Sequence, residues 1–218
     1  MAPGMIFDLD GVLFDSHPVH RKAWREFLRG LGRMVTDEEL DFILDGAKRE
    51  EILRHFLGPL TREQTASYVA RKESIFRSEE ENLKTVDGLQ AFLDLVEKAE
   101  IPKVVATSAS KLRAKRMLHK HDLADRFAAI ITGDDVPTGK SNPAIFLRSA
   151  KVLQVAPNEV LVFEDAIPAV RGATSIGMQC IGIAAADPRR SQLHDAGAAL
   201  VVPNFTELSL ADAMRLLQ

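Results

Sequence analysis

The sequence predicts an α/β fold: a parallel sheet covered by crossover helices, with an all-helical block inserted after its first strand. Three observations lead there. Short apolar runs, most of them rich in Val and Ile, alternate with helical stretches from about Leu83 onward. One further run stands alone near the N-terminus. Between that run and the next, every patterned stretch is helical. Runs of this length with no polar alternation are the mark of parallel strands buried on both faces.

The first run, Met5–Asp8, is read as strand one. His17–Leu31 follows, with Trp24, Phe27, Leu28 and Leu31 at i, i+3, i+4 and i+7, the stripe of an amphipathic helix. Asp37–Leu44, Lys48–Leu57 and Arg62–Phe76 are expected to be three more helices. Asp45-Gly46 separates the first two of these, and Gly58-Pro59 stops the second. Thr61 is expected to cap the last without a capping box, because a glutamate follows only two residues on. The helical insert runs from about Asp15 to Asn82, so residues 1–14 and 83–218 form the core domain and 15–82 a second, helical domain. The remaining strands are expected at Lys103–Thr107, Ala128–Thr132, Val160–Phe163, Gln179–Ile183 and Ala199–Val202.

Bulk properties exclude several classes. With 218 residues the chain can bury roughly 70–75% of its unfolded surface, so it needs no disulfide or structural metal. The net charge of −3 gives no footing for nucleic acid or an anionic membrane. The single cysteine, Cys180, excludes an internal disulfide and lies in an apolar run, as a buried inert thiol does. No apolar run approaches the roughly 20 residues of a membrane helix, and the N-terminus enters a strand at once, with no room for a signal peptide. The expectation is a soluble, cytoplasmic protein, monomeric by default.

In open α/β sheets ligands bind beyond the carboxyl ends of the strands. The polar residues just past the runs are therefore the candidates: Asp8 and Asp10; Thr107 and Ser108; Thr132 to Asp135, with Lys140 beyond; and Glu164 and Asp165. Closely spaced carboxylates repel and need a counter-charge. Carboxylates from two strand ends suit Mg²⁺, a hard cation with oxygen ligands. Such a site allows a carboxylate, Asp8, to attack a phosphate, splitting one difficult displacement into two. Lys140 would add a point charge and Ser108 a donor to the transferring group. Asp10 would protonate the leaving oxygen and later deprotonate the incoming one, and Gly11 would allow the turn between. Asp134 and Asp135 are read instead as residues that cap a helix start.

Asp8-Leu9-Asp10-Gly11-Val12, Ala106-Thr107-Ser108, Gly139-Lys140 and Phe163-Glu164-Asp165-Ala166 resemble the four ordered motifs of the haloacid dehalogenase superfamily. The resemblance covers nearly the whole chain. It implies a Rossmann-like core with helices on both faces and a mobile helical cap inserted where the helical block occurs. It makes Asp8 the nucleophile and Asp10 the general acid/base, with Mg²⁺ held by Asp8, the Asp10 carbonyl, and Glu164 or Asp165. The Asp-x-Asp form implies phosphoryl transfer rather than dehalogenation.

The insert narrows this further. Lys72 shares the apolar stripe of its helix with Tyr68, Val69, Ile75 and Phe76, a costly place for an ammonium unless it faces a cleft or an anion. His20 lies on the Trp24 face, and Arg49 shares a face with Leu53 and Phe56; packing alone accounts for either. His20 to Trp24, Gly46 with Arg49, Arg71-Lys72 and Ser108-Ala109-Ser110-Lys111 resemble segments of the β-phosphoglucomutase subgroup. The resemblance implies that His20, Gly46, Arg49, Lys72, Ala109 and Lys111 contact a phosphorylated sugar or couple closure of the cap to Asp10. Asp45 stands where mutases usually carry lysine, and Ser141 where proline is common. A negative charge beside a phosphate site disfavours a doubly phosphorylated intermediate. The expected function is a Mg²⁺-dependent phosphatase for a small phosphorylated metabolite, a sugar phosphate by preference. β-Phosphoglucomutase is the alternative. A receiver-type signalling module, which has neither a cap nor a use for Asp10, is the reading from another class.

Overall fold

The computed structural model describes residues 3–44 and 46–217. Among them six strands form one parallel sheet: β1 Gly4–Phe7, β2 Lys103–Thr107, β3 Ile130–Thr132, β4 Val160–Glu164, β5 Gln179–Ile183 and β6 Leu200–Val202. Their spatial order is β3-β2-β1-β4-β5-β6. This is the doubly wound Rossmann-like order, whose direction of winding reverses between β1 and β4. The strand ends that carry Asp8 and Glu164 therefore flank the crevice where such sheets bind ligands.

Alternation along each strand sorts the core into two layers. Met5, Phe7, Leu161, Phe163 and Ile181 pack against Phe92 and Leu93 of a helix at Leu89–Lys98 and Met117 and Leu118 of another at Lys111–Lys120. Ile6, Val104, Ala106, Val162 and Cys180 face the opposite layer, with Phe146, Val170 and Leu193 from helices at Ala144–Leu153, Ile167–Thr174 and Arg189–Asp195. Phe7 and Phe163, partners in register, stack with centroids 4.3 Å apart. An aromatic pair of this kind contributes about 0.5–1.5 kcal/mol beyond its buried area, and it anchors the strand ends on which Asp8 and Glu164 stand. Cys180 is fully buried, and that burial pushes its thiol up.

The chain between β1 and β2 supplies α1 His17–Arg29, α2 Asp37–Asp41, α3 Arg49–Leu57 and α4 Arg62–Glu79, then α5 Leu89–Lys98. The later helices are α6 Lys111–Lys120, α7 Ala144–Leu153, α8 Ile167–Thr174, α9 Arg189–Asp195 and α10 Leu210–Arg215. Trp24, Phe27, Leu28, Leu40, Ile43, Ile52, Leu53 and Phe56 form a third apolar cluster within α1–α3 and the turn after α2. Outgoing and returning chains run side by side at its base. Asp15 N–H donates to the Lys84 carbonyl and Val86 N–H to the Leu13 carbonyl.

Several sequence expectations shift at their edges. α1 stops at Arg29 rather than Leu31, because Gly30 caps it and Gly32 takes a φ of +79°. The segment expected as one helix to Leu44 turns into a 3₁₀ stretch at Phe42, and α4 runs on to Glu79. β3, an edge strand paired only with β2, begins at Ile130 rather than Ala128. One expectation was wrong in kind: Thr61 does form a capping box. Its hydroxyl accepts from Gln64 N–H and the Gln64 side chain accepts from Thr61 N–H. Glutamine at N3 serves where only glutamate had been considered.

Candidate active site

Register builds the centre of the site. Phe7 pairs with Phe163, so Asp8 emerges beside Glu164, and Asp8 N–H donates to the Phe163 carbonyl at 3.0 Å. The carboxylate oxygens of Asp8, Glu164 and Asp165 come within 4.8 Å of one another, and all three residues are buried. Lys140, 1% exposed, enters from the loop before α7, with Nζ 2.6 Å from Asp8 Oδ1 and in contact with Glu164 Oε1. Glu164 Oε2 accepts from the N–H groups of Asp165 and Ala166 at the mouth of α8. One carboxylate thus serves both the cluster and the helix N-terminus.

The electrostatics follow from burial and crowding. Burial drives the Asp8 carboxyl well above the ordinary carboxylate range; Lys140 offsets part of this, and Glu164, Asp165 and Asp10 add repulsion. Glu164 is raised for the same reasons. Burial alone would depress Lys140, but its two carboxylate partners outweigh it and hold the ammonium charged. Three carboxylates outnumber Lys140 and His17; burial would depress the His17 ring, but Asp165 holds it above its usual value. Asp165 Oδ2 is buried and accepts no well-formed hydrogen bond, although His17 Nε2 lies 2.7 Å away. An under-satisfied buried oxygen in an all-oxygen donor set fits a hard divalent cation held by Asp8, Glu164 and Asp165. Gly11 makes the approach possible: its φ is +78°, and a Cβ there would lie 2.7 Å from Asp165 Cγ.

Asp10 faces a different environment. Its Oδ1 accepts from Ser16 Oγ at 2.7 Å and lies 3.1 Å from His20 Nε2, and Oδ2 accepts from Arg113 Nη2 at 2.7 Å. Burial would raise this carboxyl, but Arg113 and His20 overcome it and hold Asp10 well below the usual range. The two aspartates of one turn are thereby pushed in opposite directions, Asp8 toward its protonated form and Asp10 toward its carboxylate, so the positive charge of a cation and the negative charge of a substrate would have to reverse both for Asp8 to attack and Asp10 to give a proton. The Asp10 side chain stands outside the three-carboxylate cluster, so only its backbone carbonyl remains available for the expected metal contact.

A cavity of 90 Å³ joins these groups to the inserted helices. Asp8, Asp10, His20, Gly46, Arg49, Lys72, Ser108 and Ala109 all line it. Ser108 Oγ donates to the Gly46 carbonyl across the cavity at 2.7 Å, and Gly46 has a φ of +71°. Arg49 reaches from α3 to Asp134 Oδ1 at 2.9 Å. Lys72 is 6% exposed, with Nζ 3.1 Å from His20 Nδ1 and stationed over the Trp24 and Phe76 rings. Burial and Arg113 bring its ammonium down to about 7, while burial and Lys72 bring His20 down to about 3, so the imidazole is neutral.

Lys111 is not brought into the site. Its side chain is exposed, and what it offers is a backbone N–H to Asp134 Oδ2. Asp134 and Asp135 lie outside the acidic cluster as expected; Asp135 closes a capping box with Thr132, whereas Asp134 bridges Arg49 and the start of α6. Ser141 is exposed. Asp45, on which the disfavouring of a mutase turned, lies outside the described residues. Sequence reading missed Ser16, His17 and Arg113. Arg113 carried a usable signal, because it begins the apolar face of α6 with Ala114, Met117 and Leu118, as costly a position as that of Lys72.

The model of the haloacid dehalogenase-like hydrolases matches residues 3–177. The chain is 34% identical to hexitol phosphatase A of Escherichia coli over 83% of its length and 82% of that protein's. It is 32% identical to a phosphorylated carbohydrates phosphatase of Thermotoga maritima, covering 91% and 94% of the two chains. Similarity to the β-phosphoglucomutase of Bacillus subtilis is 27% over 94% and 91%. Among solved structures, the β-phosphoglucomutase of Clostridium difficile superposes with a TM-score of 0.87 at 24% identity, over 100% of this chain and 97% of that one, a likeness of fold.

Proposed function

The chain belongs to the haloacid dehalogenase-like hydrolases, and we propose that it is a Mg²⁺-dependent phosphatase of small sugar or polyol phosphates, working through phosphorylated Asp8. One observation carries the reading: Asp8 and Asp10 line a single cavity in which one is paired with Lys140 and the other with Arg113 and His20. Residues 1–14 and 83–218 act as the catalytic core and 15–82 as the cap.

The substrate phosphoryl group is seated by Lys140 and the Ser108 hydroxyl, beside Asp8. Asp8, Glu164, Asp165 and the Asp10 carbonyl would hold Mg²⁺, which would supply the positive charge that lets anion approach anion. An Asp8 oxygen bonds to phosphorus as the bond to the leaving oxygen breaks, and Asp10, which takes up a proton when the anionic substrate enters beside it, passes that proton to the leaving oxygen. Asp10 then takes a proton from water as the water oxygen bonds to phosphorus and the Asp8–phosphorus bond breaks. At 90 Å³ the cavity falls below the roughly 300 Å³ of ordinary ligand pockets. Entry therefore requires the cap contacts Ser108–Gly46, Arg49–Asp134 and Lys48 to the Gly133 carbonyl to open. His20, Gly46, Arg49, Lys72 and Ala109 meet the leaving group when they close again.

The phosphatase reading is favoured over the mutase by hexitol phosphatase A and the phosphorylated carbohydrates phosphatase, both more than 30% identical to this chain, against 27% for the β-phosphoglucomutase. A panel of hexitol, hexose and ketose phosphates, assayed with Mg²⁺ and with chelator, tests it. Mg²⁺-dependent phosphate release is expected. Isomer formation outrunning phosphate release, once a sugar bisphosphate primer is added, would establish the mutase instead.

A further inference from the structure

Arg113 stands in the first turn of α6, just beyond the loop that carries Ser108, and its side chain turns inward rather than to solvent. It is 8% exposed. Nη2 donates to Asp10 Oδ2 at 2.7 Å, Nη1 lies 3.0 Å from His20 Nε2, and the guanidinium rests 5.1 Å from the centre of the Phe76 ring. Ser110 sets this turn by accepting from Arg113 N–H at the helix start. One short segment thus sends a hydroxyl to the phosphoryl side of the cavity and a guanidinium to the acid/base side.

Resting on the phosphatase reading above, we propose that Arg113 is a positioning residue for Asp10. Asp10 must use its carboxyl twice in each turnover, giving a proton to the leaving oxygen and then taking one from water. Its Oδ1 is occupied by Ser16 and His20, both at the start of the inserted helices. Among the described residues Oδ2 accepts from Arg113, which belongs to the core. When the cap opens, Ser16 and His20 move with α1, and Arg113 is the contact that keeps the plane of the Asp10 carboxyl fixed. A planar guanidinium fixes the plane of the carboxyl it bonds, which the rotating point charge of a lysine does not. Misplacing a catalytic group by about 1 Å costs up to about 100-fold.

Leaving-group chemistry separates this role from a merely structural one. p-Nitrophenolate departs without needing a proton, so phosphorylation of Asp8 by p-nitrophenyl phosphate does not call on Asp10. Hydrolysis of the aspartyl-phosphate does. In Arg113→Met, rapid mixing is expected to show a burst of about one p-nitrophenolate per site at close to the parent rate, then steady turnover about 10- to 100-fold slower. With a sugar phosphate, whose alkoxide leaving group needs the proton, both phases slow together and KM stays within about threefold of the parent. Should Arg113→Met fail to fold, Arg113→Lys, which keeps the charge, must show the same split. Burst and steady state falling in parallel, or neither changing, would overturn the proposal. A parent enzyme with no Mg²⁺-dependent p-nitrophenolate release would overturn the phosphatase reading and this proposal with it.

Discussion

Replacing Lys140 by Met is the sharpest test of the charge balance at the centre. The substitution keeps the apolar stem of the side chain and removes the ammonium with its charge and its donors. Lys140 is 1% exposed and meets Asp8 at 2.6 Å as well as Glu164. Without it, three buried carboxylates lie within 4.8 Å of one another and share no lysine. Removing one partner of a buried pair costs about 3–5 kcal/mol. In a chain of this size each kcal/mol moves Tm by about 2–4 °C, so a fall of about 6–20 °C is expected in chelator at pH 7. The sign of the pH effect also follows. Asp8 and Glu164 are already raised by burial, and loss of the ammonium raises them further. Groups with raised folded-state values contribute fully below the unfolded value and lose that contribution as pH rises through the folded one. The deficit must therefore shrink on acidification to pH 5. Thermal melts of parent and variant at both pH values decide the matter. A variant melting within about 2 °C of the parent at pH 7, or a larger deficit at pH 5, would refute the reasoning.

Other changes probe separate links. Gly11→Ala puts a methyl group against the Asp165 carboxylate from a backbone with φ +78°; calorimetry should find Mg²⁺ binding lost while the fold is retained, and parent-like affinity would count against the three-carboxylate site. Lys72 gives a reversed pH signature, because its ammonium is held down to about 7 against 10.5 in the unfolded chain. Parent stability from this group rises between those values, since the unfolded chain binds the extra proton there. Urea midpoints of Lys72→Met should lack that rise, while KM for a sugar phosphate increases; an identical pH profile would show that the ammonium is not buried as described. Thr61→Ala removes the hydroxyl half of the α4 capping box and should cost about 0.5–2 kcal/mol by urea denaturation, with no change in kcat.

The strand ends were legible because parallel strands buried on both faces appear as unbroken apolar runs, and because ligands gather where winding reverses. Asp8, Lys140, Glu164 and Asp165 could therefore be assembled from sequence before any contact was known. Lys72 was legible for a different reason, a charge placed on an apolar stripe. The same test applied to α6 would have found Arg113, whose neighbours Ala114, Met117 and Leu118 are buried. His17 left no such trace: it opens α1 after Ser16, a place any polar residue can hold, and only the fold brings it 2.7 Å from Asp165. Gln64 closes the α4 capping box because its amide oxygen accepts from Thr61 N–H as a glutamate would. Lys111 shows the opposite error, a position carried over by resemblance whose side chain faces solvent.

The central claim is that Asp8 is phosphorylated during turnover, and borohydride trapping tests it directly. An acyl-phosphate, unlike a free carboxylate, is reduced by borohydride to an alcohol, converting the aspartate that carried it to homoserine. Enzyme quenched in mid-turnover with Mg²⁺ and a sugar phosphate, then digested and read by mass spectrometry, is expected to carry that change at Asp8, and to lose it when Mg²⁺ is chelated. Reduction at another residue, or none while phosphate is being released, would contradict the account.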